Sequence, residues 1–175
     1  MTRTRHLLAS SMCTVLLLAG VVLASGGVAS AARSLSKYVC HGSQITLFDN
    51  TNGYEVSNGG TPPTFSTKGK AYCVTYIQTY HWNGGKGSAP GHLSLLRVSG
   101  PAGLPKHTHF FAAKTSTGQD NAPNVNFYAD VPSSPPTIID GTYKCEDTVL
   151  TTWSTDKQSN GGFCIIYATP AVPPS

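Results

Sequence analysis

Charge is scarce in this chain: Asp, Glu, Lys and Arg make up 11% of its 175 residues. That is too little for the ion-pair-laced surface of a helical bundle. No basic run stands out that would follow a nucleic acid backbone. Helical periodicity is missing too, since Gly or Pro interrupts every stretch with apolar positions near the 3.6-residue spacing. No Cys-x-x-Cys pair occurs, which argues against a zinc ribbon or a thioredoxin-type redox centre. No Gly-x-Ser-x-Gly elbow follows the first thirty-odd residues, which removes the usual hydrolase nucleophile turn. The longest apolar run, 12–23, falls short of the ~20 residues that span a bilayer.

What is present begins with an export address. Arg3, Arg5 and His6 supply a basic start, 12–23 an apolar centre, and Ala29-Ser30-Ala31 a small-x-small cleavage pattern. No cysteine stands at a lipoprotein-type cleavage point. The expectation is a secretory signal over 1–31, release rather than anchoring, an extracellular location and no membrane contact after cleavage. The formal charge of +4 loses Arg3 and Arg5 and falls to about +2. Gly, Pro, Ser, Thr and Asn are plentiful in the rest, the composition of an extracellular all-β domain with long polar loops. One domain is expected over 32–169, with a flexible tail at 170–175.

Five cysteines are present, of which Cys13 leaves with the leader. An even set remains in an exported chain, which implies disulfides with three connectivities available. Cys145 and Cys164 lie on segments that read as consecutive strands, so the preferred pairing is Cys145–Cys164, with Cys40–Cys73 by elimination.

Nine strands are read from β-branched and aromatic density: 39–48, 54–57, 64–66, 71–81, 92–98, 107–113, 125–130, 141–148 and 162–168. In 71–81, alternation puts Tyr72, Val74, Tyr76, Gln78 and Tyr80 on one face, with Cys73, Thr75, Ile77 and Thr79 on the other. The fold class expected is a single-domain antiparallel β-sandwich, jelly-roll-like and stapled by disulfides. Strand direction then brings the connections 58–60, 82–91, 116–124 and 151–161 to one pole, together with both tryptophans.

Three stretches carry a resemblance. They are Val56-Ser57-Asn58-Gly59-Gly60-Thr61-Pro62-Pro63-Thr64-Phe65; Thr79-Tyr80-His81-Trp82-Asn83-Gly84-Gly85-Lys86-Gly87 with Pro90-Gly91; and Gly141-Thr142-Tyr143 with Thr152-Trp153-Ser154 and Ser159-Asn160-Gly161-Gly162. Together they resemble a family of secreted bacterial β-sandwich domains to which no activity is attached. The resemblance implies a sandwich and export. Cys145-Glu146-Asp147 stands where that pattern has Asp-Ser-Asp, which speaks against an acidic metal site.

The polar–aromatic pole is the first candidate site. Sugars present flat C–H faces that stack on aromatic rings, while amides pair with hydroxyls, so Tyr80, His81, Trp82, Asn83, Asp120, Asn121, Asn124, Trp153 and Asn160 are the expected ligand contacts. The competing reading folds Trp82 and Trp153 inward as a core plug, with their N–H groups bonded to loop carbonyls. His107 and His109, on one face of a strand, are metal candidates, with His81 or His92 as a third donor. Asp49-Asn50-Thr51-Asn52-Gly53 has some look of a calcium loop but reads better as an Asx turn. The carboxylates are too scattered to form a facing pair for glycoside hydrolysis. The expected role is therefore a non-catalytic module without cofactor, whose partner is a polysaccharide or cell-envelope glycan and not nucleic acid. The alternatives are a structural or protein-interaction role at the cell surface or, more weakly, a metal-binding or hydrolytic one.

Overall fold

The computed structural model describes residues 38–172. The expected leader 1–31 and the last residues of the expected tail, 173–175, lie outside the described residues. Eleven strands form two antiparallel sheets packed as a sandwich. In chain order they are β1 (Val39–Cys40), β2 (Ile45–Asp49), β3 (Thr64–Ser66), β4 (Tyr72–Tyr80), β5 (His92–Ser99), β6 (Phe111–Ala112), β7 (Lys114–Ser116), β8 (Asn126–Asp130), β9 (Thr137–Ile139), β10 (Thr142–Asp147) and β11 (Cys164–Val172). The larger sheet centres on β11 and β4: β1 and β2 pair with the free side of β11, β8 and β9 with the far side of β4, and β7 with β8. The smaller sheet runs β3-β10-β5-β6.

The strand reading needs five corrections, one of them the unread strand β9 between 125–130 and 141–148. Segment 39–48 breaks into β1 and β2, both antiparallel to β11. Segment 54–57 contributes only an isolated bridge between Ser57 and Thr155. Of 107–113 only Phe111–Ala112 is strand; β6 pairs in the small sheet and β7, two residues on, pairs in the large one, so the chain changes sheets there. Residues expected to form a loose tail instead extend β11, with Ala171 buried and Pro170 opposite Tyr72.

Between the sheets lies a core of Phe65, Val74, Ile77, Leu93, Leu95, Phe111, Ile139, Tyr143, Trp153 and Ile166, among others. The face assignment in β4 changes part-way. Tyr76 faces Tyr167, but Val74 faces Ala168, so Thr75 is an extra residue and the strand bulges. The bulge sends Val74 into the main core beside Ile77, while Cys73 joins a second cluster with Tyr38, Leu104, Ile138 and Ala171. Only Tyr76, Gln78 and Tyr80 keep the outward face that strict alternation assigned to five residues.

Both disulfides pair as expected, Cys40–Cys73 and Cys145–Cys164. The reason for the second differs, however. β10 and β11 belong to different sheets, and the Cys145–Cys164 bond crosses the sandwich through its core, with both residues fully buried. By restricting the unfolded chain each bond contributes about 2–4 kcal/mol.

Candidate functional site

The pole where β4 and β10 end and β5, β8 and β11 begin is sewn together by hydrogen bonds between four loops. Asn58 donates its side-chain amide to Asn83 Oδ1 at 3.1 Å. The Ser57 and Thr155 backbones exchange bonds of 2.8 and 2.9 Å, and the Ser88 N–H reaches the Asn124 carbonyl at 3.1 Å. The Trp82 N–H donates to Ser154 Oγ at 2.8 Å. The convergence read from strand direction is therefore present, and the three motif stretches supply much of it.

The two tryptophans have different fates. Trp153 is completely buried, with its indole N–H donating to the Phe163 carbonyl at 2.9 Å. A Cβ added to Gly162 would overlap that indole, and one added to Gly60 would press on the Gly162 backbone, so two glycines are required for the ring to seat. Trp153 is a core plug and not a ligand contact. Trp82 stays partly exposed on a 3-10 turn, Asn83–Gly85, and its indole lines an open cleft of about 700 Å³.

His81, expected at the ligand surface, is also sealed. Its Nε2 lies 3.0 Å from Asp147 Oδ2, and Thr79 donates its hydroxyl to the same oxygen at 2.5 Å. The other ring nitrogen is 3.0 Å from Thr152 Oγ1, and the ring stacks on Phe127 with centroids 3.8 Å apart. The Val149 N–H completes the carboxyl at 2.7 Å. Alternation explains the burial. Ile77 and Thr79 point inward, and the chain leaving β4 carries His81 on with them, where the core accepts it because each polar atom has a partner.

The cleft lies on the outer face of the large sheet, next to the pole. Gln78 and Tyr80 of β4, Asn126 of β8 and Ile165 of β11 make its floor, Thr51–Val56 one wall, and Trp82 with Gly118 and Gln119 another. Tyr54 is 62% exposed. Burial, together with the nearby charge of Asp120, raises the Tyr80 phenol above its ordinary range. Beside the cleft, Tyr128, Tyr76 and Tyr167 form a row across three strands with centroids 5.9 and 5.3 Å apart and planes within 23° of parallel. At this spacing the rings are offset and pack side by side along the row. The Tyr76 hydroxyl donates a hydrogen bond to Gln78 Oε1 at 2.6 Å. Burial first, then the neighbouring Tyr167, Asp130 and Tyr128, push its phenol up to about 12.

Of the other expected contacts, Asn83 is engaged with Gly87 and Asn58, and Asn124 accepts the Thr115 hydroxyl at 2.8 Å. Asn160 ties the Thr64 carbonyl to Asn50 and so braces the loops rather than facing the cleft. Asp120 and Asn121 are exposed on a 3-10 turn with positive φ, immediately after the lining residue Gln119. Tyr80 and Trp82 alone of the nine line the cleft. Tyr54, Glu55, Gln78, Gln119 and Asn126 were missed. Gln78 shares the Tyr80 face and was legible from β4, whereas Tyr54 and Glu55 were hidden by their assignment to a strand.

The metal candidates do not assemble. His107 and His109 both point outward, but His107 pairs with Glu146 at 3.2 Å and rests on Phe110, while His109 meets Phe111 edge-on. His81, a proposed third donor, is enclosed elsewhere. Among the described residues no three His, Cys, Asp or Glu side chains are grouped to hold a metal ion. Asp49 accepts the Thr51 N–H and hydroxyl at 2.9 and 2.7 Å, an Asx turn as read. Comparison of the chain with protein-family models, curated proteins and solved structures finds no match.

Proposed function

We propose that this chain is a secreted, non-catalytic binding module whose cleft takes a glycan. One observation carries the reading: Tyr54, Tyr80 and Trp82 border the same open cleft as Asn52, Gln78, Gln119 and Asn126. Aromatic rings cover the C–H faces of sugars, and amides, with both donor and acceptor atoms, meet hydroxyls of either sense. The floor is held rigid by the paired strands β8, β4 and β11, so little ordering cost falls on binding. The relevant platform is the cleft with Trp82; the Trp153 loop supports it from below.

The experiment is a glycan array on the wild-type chain alongside Trp82→Ala and Tyr54→Ala. Both variants are expected to stay folded, with at most a small drop in melting temperature, and to lose the wild-type signals. Retention of every signal by both folded variants would overturn the reading. Capture of a protein partner, with a blank array, would favour the interaction role at the cell surface instead.

A further inference from the structure

The cleft has a charge character opposite to that of the whole chain. The net formal charge is +4, yet no Lys, Arg or His lines the cleft, and Glu55 is its one charged side chain. Other carboxyls stand close behind the walls. Asp49 bonds the lining residue Thr51. Asp120 is near enough to Tyr80 for its charge to be felt there. Asp156 lies beside Asn52; desolvation opposes its charge, but bonds from the Ser159 and Gln158 backbones and from the Asn52 and Ser159 side chains hold its carboxyl below the usual range.

We propose that the ligand is a glycan carrying free, protonated amino groups. This rests on the glycan reading above and adds the ligand's charge. A uronate, sulfate or phosphate would enter a space whose lining holds the Glu55 carboxylate and no cation. A neutral sugar would stack on the rings but leave the Glu55 carboxylate with uncharged donors only. An ammonium group supplies a charge-assisted hydrogen bond to that carboxylate and gains from the field of the others. Because Glu55 is exposed, solvent screens the pair, and the expected preference is about fivefold.

The test is isothermal titration, at mildly acidic pH, of the hexamers of glucosamine, N-acetylglucosamine and galacturonic acid into the wild-type chain and Glu55→Gln. The wild type is expected to bind the glucosamine hexamer about fivefold more tightly than the acetylated one. Glu55→Gln is expected to weaken the glucosamine hexamer more than the acetylated one and so remove that preference, and about 1 M salt removes it from the wild type. Equal affinity for the first two hexamers, an undiminished preference in Glu55→Gln, or tighter binding of galacturonate would each overturn the proposal and leave the glycan reading standing. No heat with any hexamer, together with a blank array, would sink both.

Discussion

His81 and Asp147 meet at 3.0 Å with both side chains fully buried, directly below the turn that carries Trp82. The pair ties the end of β4 to the end of β10, one strand from each sheet, and with Thr79 and Thr152 it closes the core at the pole where the four loops meet. Replacing Asp147 by Ala leaves the His81 ring, the Thr79 hydroxyl and the Val149 N–H without their acceptor in a dry site. The expected loss is roughly 3–5 kcal/mol by urea denaturation. Asp147→Asn, which keeps an acceptor oxygen, should lose less.

The two tryptophans give a paired test of surface against core. Trp153→Ala empties a fully buried indole site and should cost about 3–5 kcal/mol. Trp82→Ala removes a half-exposed ring and should cost less than about 1.5 kcal/mol, while abolishing the array signals. Equal melting temperatures for the two variants would contradict the burial difference.

The disulfides should differ in accessibility to reductant. Cys40 is exposed on the edge strand β1 and its partner Cys73 is buried on the central strand β4, whereas Cys145 and Cys164 are wholly enclosed. Dithiothreitol under native conditions should open Cys40–Cys73 first, as read by alkylation and peptide mass mapping. Opening Cys145–Cys164 should require unfolding, and its double replacement by Ala should cost about 2–5 kcal/mol.

Tyr76 predicts a signature at alkaline pH. Its phenol is raised from an ordinary value near 10 to about 12. The folded state therefore holds this proton more tightly than the unfolded chain does, and the stability it contributes is present below pH about 10 and lost as pH climbs towards 12. Ultraviolet titration should show several tyrosines ionising late in the wild type, since burial also raises Tyr80 and Tyr143. The late amplitude should shrink by one tyrosine in Tyr76→Phe, which should also lose less stability between these pH values.

Much of the polar architecture was readable because direction survives errors in strand count. β7 follows β6 and β9 follows β8 without reversing the chain, so overlooking β7 and β9 left the later loops at the right pole. The spurious strand at 54–57 had a local cost: it made a wall of the cleft look like sheet and hid Tyr54 and Glu55. Those residues were not legible because the segment's apolar and aromatic content fits a strand equally well. Only their place in the lining of the cleft that Gln78 and Trp82 also line distinguishes them. The inward path of His81 was half legible, since alternation puts it on the same face as Ile77 and Thr79.

Pattern along the chain was enough to determine a two-sheet antiparallel sandwich, its pair of disulfides and the gathering of four loops, because alternation, turn residues and cysteine parity are local or additive signals. The fold alone decided that Trp153 plugs the core while Trp82 stays partly open, that Thr75 bulges and reverses the faces of β4, and that Cys145–Cys164 spans two sheets. Each of these depends on which residues from distant segments compete for the same buried volume, a contest among atoms brought together only when the sheets close on one another.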